Sequence, residues 1–430
     1  MHHKRSILIG LVSKFDSLSL DTLGCGDCAV YFASHTRIRY LLSDYYSGYI
    51  SPVIVFNMEI ALLAFISSRH FSSPLANGRK MTWDIHLCVV DHYEPQVGKP
   101  RRETAKRRVE DWLERYPKIA SKHRDCLGQP PKHSFFYPYD EYDEWEFSRI
   151  AELCRDGWGE LEIHLHHWND TSDGVREKLR EAKRLWADKG MLAKWRDGSP
   201  AFGFIHGNWA LDNGRWRESP NPCGVNDEIS ILLEEGCYAD FTFPAWRSPA
   251  QPRMMNAIYY AKDDPEKPKS YDRGDAARAN SGGEYTEFIT TEYTENTEIM
   301  NKGGGDGIPE HARGGRLLMV PGVLATYIER KGGKIRIAMD DSDLASYRRY
   351  HPARLDRWVR AGIHVQGAPN HIFIKIHCHG AADANREALL GEDLDALFTD
   401  AEARYNDGER YRLHYVTARE MANRIYSLAG

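Results

Sequence analysis

Residues Pro131 to Asp170 read PKHSFFYPYDEYDEWEFSRIAELCRDGWGELEIHLHHWND. The aromatic run His133 to Tyr137 stops at Pro138, which is typical of a buried strand that leaves its sheet. A helix is predicted next, because Asp143 can cap it and apolar residues recur behind it at helical spacing. Glu160 to Leu165 alternates polar and apolar residues and is predicted to be a second strand. The stretch therefore predicts a strand, a helix and a strand.

The second of these strands ends in a cluster of ionisable side chains. His164, His166, His167 and Asp170 fall within seven positions. In an α/β sheet, the carboxyl ends of the strands are where binding and catalytic residues gather. This cluster is the first candidate for a functional site.

The flanking sequence repeats the same alternation. Other predicted strands also end in ionisable, amide or aromatic side chains: Asp91 and His92; His206, Asn208 and Trp209; Trp246; His377 and His379. Helices are predicted between the strands, for example over Arg101 to Lys122 and Ser342 to Ala361. The pattern predicts an α/β fold with a mostly parallel sheet and crossover helices, compatible with closure into a barrel.

One catalytic domain is predicted over residues 81–430, with two additions. Residues 1–80 do not show the alternation and are predicted to form an N-terminal appendage. Residues 262–313 interrupt the pattern and include the nearly repetitive segment EYTEFITTEYTENT, so they are predicted to be a long inserted loop.

Charge and sequence pattern give no reason to expect nucleic acid, a membrane span or a signal peptide. A net charge of -5 gives no reason to expect nucleic acid. The apolar run Val53 to Ile66 is shorter than the ~20 residues that cross a bilayer, so no stable membrane span is expected. No signal-peptide pattern stands out, and the cysteines are scattered, so a cytoplasmic location is expected.

The histidine-bearing strand ends favour a hydrolytic metal centre. Such a centre needs two or three imidazole or carboxylate ligands, an open position for water, and a base. His166 and Asp170 are expected to share one divalent ion, and Asp91 and His92 to add a base and a third ligand. A single histidine is more often a hydrogen-bonded structural residue, but the joint pattern favours metal binding.

These motifs resemble those of the NodB-like polysaccharide deacetylases. The resemblance rests on D-H after a strand, K-H-S-F-F-Y-P, and G-E-L-E-I-H-L-H-H-W-N-D, and it spans about residues 82–427. It implies a distorted (β/α)7-type barrel and a divalent metal ion, expected to be Zn²⁺. It also implies hydrolysis of N-acetyl or O-acetyl groups on a carbohydrate polymer.

The resemblance also assigns roles to individual residues. Asp91 matches the catalytic base, and His92 stands where the family has a metal-binding aspartate. His166 matches the first metal histidine, and Asp170 occupies the place of the second. The late histidine that acts as the acid is matched by His377 or His379. The exchanged aspartate and histidine depart from the family pattern but keep a mixed nitrogen and oxygen ligand set.

Substrate contacts are expected from the other strand ends. His206, Asn208 and Trp209 lie where the family has its arginine-proline motif, and Trp168 and Trp246 are candidates for stacking on sugar rings.

Two alternatives remain open at the level of sequence. One is a glycoside hydrolase that pairs Asp91 with Glu94 or Asp212, with the two carboxylates about 5 to 10 Å apart. The other is a carbohydrate-binding protein that has kept the scaffold and lost the chemistry.

Overall fold

The protein is described by a computed structural model that covers residues 75–76, 79–280, 289–290 and 314–429. Most of the predicted appendage and the segment Glu284 to Thr297, apart from residues 289–290, lie outside this range. The strands are β1 (Leu75–Ala76), β2 (Arg79–Lys80), β3 (Trp83–His92), β4 (His133–Pro138), β5 (Gly159–Leu165), β6 (Ala193–Trp195), β7 (Pro200–His206), β8 (Cys237–Asp240), β9 (Tyr259–Lys262), β10 (Gly274–Ala276), β11 (Ile289–Thr290), β12 (Arg316–Met319), β13 (Ala325–Lys331), β14 (Lys334–Asp340), β15 (His371–Cys378) and β16 (Tyr411–Tyr415). The α-helices are α1 (Arg102–Ala120), α2 (Glu144–Leu153), α3 (Ser172–Asp188), α4 (Glu228–Glu234), α5 (Pro352–Ala361), α6 (Arg386–Leu389), α7 (Glu392–Tyr405) and α8 (Ala418–Ala429).

The predicted α/β class with a mostly parallel central sheet is confirmed. The main sheet follows the order β10-β9-β12-β8-β7-β5-β4-β3-β15, and the pairs from β8 through β15 are parallel. β15 pairs along nearly the whole of β3, whereas β16 pairs with its first half and β4 with its last four residues. Every residue of β3, β4, β5 and β15 is buried, as expected for parallel strands covered on both faces.

The β4-α2-β5 unit forms where the sequence predicts it. Asp143 caps α2, and its Oδ1 accepts hydrogen bonds from the backbone N–H groups of Trp145 and Glu146 at 2.9 and 3.0 Å. The Glu146 carboxylate does not close a capping box but accepts hydrogen bonds from Tyr137 and Gln96. The cap therefore acts through Asp143.

The helix predicted over Ser342 to Ala361 is wrong in its first ten residues. Helix α5 begins at Pro352, after the N-cap His351. The preceding segment instead runs along the free edge of β15, where His377 N donates to Ser342 O at 3.1 Å and Leu344 N to His377 O at 3.0 Å. These backbone hydrogen bonds to β15 outweigh the local helical pattern, and they place Asp343 beside His377.

The first part of the predicted inserted loop is ordered and folded into the sheet. Residues 262–280 contain β10, which pairs with β9, and a 3₁₀ turn whose Tyr271 is fully buried. The Tyr271 hydroxyl donates to the carbonyl of Ala250 at 2.7 Å. Within the described part of the chain, no helix is long and apolar enough to cross a lipid bilayer.

Candidate metal centre

Glu94 lies just beyond β3, and histidines from neighbouring strands surround its carboxylate. Glu94 Oε1 is 3.2 Å from His164 Nε2 and 3.4 Å from His166 Nε2, and the two Nε2 atoms are 3.2 Å apart. His92 and His379 form a second group of potential ligands with the same carboxylate. We call these five residues the Glu94 cluster. It lies at the carboxyl ends of β3, β5 and β15.

The three separations among Glu94, His164 and His166 fit a bound metal ion. Ligands about 2.0 to 2.1 Å from a tetrahedral ion lie about 3.3 Å from one another. Hydrogen bonds alone account less well for this geometry. If His164 and His166 both donate to Glu94, the contact between their Nε2 atoms joins two donors. Glu94 Oε1, His164 Nε2 and His166 Nε2 can therefore provide three of the ligands of a divalent ion.

Asp140 orients one of these rings from outside the cluster. Its carboxylate lies 3.0 Å from His166 Nδ1, and it accepts a hydrogen bond from the His166 backbone N–H at 2.8 Å. A carboxylate on the far nitrogen is the usual partner of a histidine that ligates through Nε2. Burial opposes protonation of His166, but the bonds to Asp140 and Glu94 outweigh it and raise its pKa to about 10. This corner of the site thus favours a positive charge.

Glu94 and His164 complete the charge pattern around that position. Burial acts to raise the pKa of Glu94, but hydrogen bonds from His164 and His166 hold it well below its ordinary value. Burial lowers the pKa of His164, which favours the neutral ring. An ionised carboxylate beside a neutral imidazole is a suitable pair of ligands for a divalent ion.

His92 is buried among aromatic rings at the centre of the cluster. The ring centroids of His164, Trp209 and His379 lie 5.0, 5.0 and 4.8 Å from its own. Burial and the neighbouring imidazoles lower its pKa. Neither ring nitrogen has a hydrogen-bond partner among the described residues. Such a neutral imidazole can bind an ion or accept a proton.

Gly207 brings the backbone after β7 directly against the cluster. A Cβ atom at this position would lie 2.5 Å from both His164 Nε2 and His166 Nε2. These atoms belong to rings that are held by Glu94 and Asp140, so they cannot easily move aside. Glycine is therefore required here by close approach.

Asp91 does not face the Glu94 cluster. It is fully buried, with His133 Nε2 3.0 Å from its Oδ2 and the Gly380 N–H donating to its Oδ1 at 2.6 Å. Neighbouring residues on a strand point to opposite faces, so Asp91 and His92 are directed apart. The predicted pairing of these two residues around one ion is not formed.

Asp170 is also engaged elsewhere. Its Oδ2 accepts from Lys178 Nζ at 2.7 Å and lies 3.4 Å from His167 Nδ1. None of the ligand groups found among the described residues contains it. Glu94, rather than Asp170, supplies the carboxylate beside His166 Nε2.

The two late histidines differ in their surroundings. His379 is partly exposed and stacks on His92, whereas His377 is buried with its Nε2 4.0 Å from Asp343. Burial and the nearby Lys375 lower the pKa of His377. Of the two, only His379 belongs to a group of potential ligands among the residues that the structure describes.

The predicted substrate contacts divide between two places. Trp209 lies beside His92 and His379, with ring centroids 5.0 and 5.5 Å away. Asn208 instead donates to the carbonyls of His167 and Pro222 at 3.0 and 3.1 Å. The other two predicted aromatic contacts are exposed or partly exposed: Trp168, and Trp246 under the Arg247 guanidinium.

A second buried group lies next to the Glu94 cluster. It comprises His167, His206, Cys223 and Glu228, and we call it the Glu228 cluster. Asp91, His133 and Cys378 form a further set of potential ligands. His206, predicted to contact substrate, belongs to the Glu228 cluster and is fully buried.

Glu94 was named from the sequence only as a carboxylate of the glycoside hydrolase alternative, not as a metal ligand, and Asp140 was not predicted. Glu94 stands two residues after His92, a spacing that directs both side chains to one face of an extended chain, and this signal was available. Asp140 lies 26 positions before His166 in a turn, where nothing in the sequence marks it as a partner.

None of the protein-family models matches this sequence, and no curated protein matches it either. The resemblance to the NodB-like deacetylases therefore rests on the quoted motifs alone.

Proposed function

We propose that the protein is a metal-dependent hydrolase that removes acetyl groups from a carbohydrate, with a divalent ion, expected to be Zn²⁺, held by Glu94, His164 and His166. One observation carries the proposal. The three ligand atoms of these residues lie 3.2 to 3.4 Å apart at the carboxyl edge of a parallel sheet. A divalent ion bound there would polarise an amide carbonyl and lower the pKa of a bound water towards ~7.

The surrounding residues of the chain provide positioning and proton transfer. Asp140 holds the His166 ring with Nε2 directed inward. His92 is neutral and has nitrogens available to accept the proton of an attacking water. His379 lies at the partly exposed rim and can donate a proton to the leaving amine. This assignment moves the role of base from Asp91 to His92.

The substrate class follows from the motif resemblance and is supported by one aromatic neighbour. Trp209 borders both His92 and His379, where a sugar ring could stack. The proposal includes the barrel that the resemblance implies. Lys375 on β15 donates to the carbonyl of Phe243, beyond the end of β8, which draws distant strands of the sheet together.

The glycoside hydrolase alternative finds less support. Its carboxylate pair would require Glu94 or Asp212 to face Asp91. Asp91 is bound to His133, and Asp212 is buried and accepts a hydrogen bond from the Ser270 N–H. Each carboxylate is held by partners of its own.

Elemental analysis combined with acetate release from N-acetylated oligosaccharides tests the proposal. We expect Glu94→Gln and His166→Ala to lose one equivalent of metal and at least 100-fold in acetate release. We expect His379→Ala to keep the metal while its rate falls about 100-fold, as for the loss of a general acid.

His364→Ala is the matched control, because this partly buried histidine hydrogen-bonds to Gly362 away from the cluster. It should retain both metal and activity. Wild-type metal content in Glu94→Gln would contradict the proposed ligand set, and no acetate release by the metal-loaded wild type on any N- or O-acetylated sugar would contradict the reaction.

A further inference from the structure

The Glu228 cluster is assembled from four separate parts of the chain and is closed to solvent. His167 follows β5, His206 ends β7, Cys223 lies in the loop before α4, and Glu228 is the first residue of α4. All four residues are buried, and His206, Cys223 and Glu228 are completely inaccessible. None of these four residues belongs to the proposed catalytic site.

Three separations from the Glu228 carboxylate are close to those around a tetrahedral ion. Glu228 Oε1 is 3.0 Å from His167 Nε2 and 3.8 Å from His206 Nε2, and Glu228 Oε2 is 3.5 Å from Cys223 Sγ. Nitrogen and oxygen ligands of zinc lie about 3.3 Å apart, and a sulfur and an oxygen ligand about 3.6 Å apart. One potential ligand atom from each of the four residues lies within 4.8 Å of the others, so the cluster can surround a single ion.

Hydrogen bonds among the described residues leave this cluster incompletely satisfied. The fully buried Nε2 of His206 has no hydrogen-bond partner in that part of the chain, and the nearest carboxylate oxygen is too distant at 3.8 Å. A buried polar atom without a partner is rare and calls for an unseen one. This atom points to a ligand within the cluster.

The surroundings of Cys223 and His167 are those of metal ligands. The Cys223 sulfur accepts backbone N–H groups from Asn213 at 3.3 Å and Val225 at 3.5 Å, which fix its position in the cluster. His167 has the Asp170 carboxylate 3.4 Å from its Nδ1, the usual outer partner of a ligating ring. His206 Nδ1 accepts a weak contact from the Asn208 N–H at 3.2 Å, which ligation through Nε2 would release. The free energy lost with this one hydrogen bond is small compared with that of a metal–nitrogen bond.

We infer that His167, His206, Cys223 and Glu228 bind a second metal ion, of the thiolate-binding kind such as Zn²⁺, in a closed structural site. Four protein ligands and no solvent access distinguish it from the Glu94 cluster, whose rim is partly exposed. The ion would fix the ends of β5 and β7 to the start of α4. The inference does not depend on the proposed reaction.

Metal content tests the inference on the full-length protein. We expect the wild type to retain two equivalents after gel filtration, Cys223→Ser to retain one, and Glu94→Gln to retain the other one. Chelation should lower the Tm of the wild type more than that of Cys223→Ser. A Cys223→Ser variant with full wild-type metal content would overturn the inference, whereas an unchanged Glu94→Gln would contradict only the catalytic site.

Cobalt substitution identifies the sulfur ligand directly. Co²⁺ bound to a thiolate gives a near-ultraviolet charge-transfer band, which we expect in the wild type and in Glu94→Gln but not in Cys223→Ser. Cys126→Ser is the control, because Cys126 lies beside His414 outside the cluster. If Cys223→Ser does not fold, the wild type decides alone, and absence of the band at saturating Co²⁺ would overturn the inference.

Discussion

Asp140→Ala tests whether the Glu94 cluster is built to hold an ion. Asp140 is not a ligand in our proposal, but two of its contacts fix the His166 ring: Nδ1 at 3.0 Å and the backbone N–H at 2.8 Å. Removing a carboxylate that orients a ligating histidine costs about 10- to 100-fold in metal affinity. This corresponds to about 1.4 to 2.7 kcal/mol. We expect a loss of that size at the Glu94 cluster.

The magnitude separates positioning from direct ligation. Asp140→Asn keeps one oxygen that can accept from either the His166 backbone N–H or Nδ1, so its loss should be smaller than that of Asp140→Ala. Glu94→Gln removes a ligand charge and should lose the ion altogether. The expected order of affinity is therefore wild type, Asp140→Asn, Asp140→Ala and Glu94→Gln.

Competition with a chromogenic chelator measures these affinities at fixed pH. Asp188→Ala is a matched control, because this carboxylate is exposed and pairs with Arg184 on α3. Urea unfolding checks that Asp140→Ala remains folded. If Asp140→Ala binds the ion within about two-fold of the wild type, His166 is not oriented for ligation as we argue.

Three further perturbations probe close approach, burial and charge. Gly207→Ala should reduce metal content at the Glu94 cluster, since its Cβ would lie 2.5 Å from His164 Nε2; full occupancy would contradict the crowding. Asp91→Ala should lower the free energy of unfolding in urea by about 3 kcal/mol, because His133 loses a buried partner; lost acetate release with unchanged stability would instead restore Asp91 as the base. Burial raises the pKa of Glu146 to about 7, so its contribution to stability is complete below about pH 4.5 and is lost as the pH rises through 7. Glu146→Gln should therefore gain about 1 to 2 kcal/mol over the wild type between pH 4 and pH 8, and equal pH profiles in urea unfolding would refute this.

The elements predicted best are those in which local pattern and long-range packing agree. β4 and β5 match the sequence prediction to within one residue, and α2 begins directly after the predicted cap Asp143, because a run of buried aromatics, an aspartate cap and an alternating strand all favour the same structure. The segment Ser342 to His351 has helical spacing, but its residues 342–344 pair with the edge of β15 instead. The sequence alone could not show which strand would have unpaired backbone groups at its edge.

The candidate site was predicted in part, for a similar reason. His92, His166 and His379 were expected at one place, and they lie together around Glu94. Asp91 and Asp170 were chosen because they stand beside histidines at predicted strand ends and match positions in the motif resemblance. Closeness in sequence is a poor guide at a strand, because residues i and i+2 share a face and residues i and i+1 do not.

The same alternation explains how one histidine-rich segment can serve two clusters. His166 and His167 are consecutive, and their rings face different carboxylates, Glu94 and Glu228. At the end of β7, His206 likewise contributes its ring to the Glu228 cluster, while the next residue, Gly207, presents its backbone to the Glu94 cluster. At the ends of β5 and β7, consecutive residues therefore face different clusters. An ion bound in the Glu228 cluster would also fix the backbone at Gly207, which lies against His164 and His166. Cys223→Ser should therefore lower the metal affinity of the Glu94 cluster, although it removes none of that cluster's ligands.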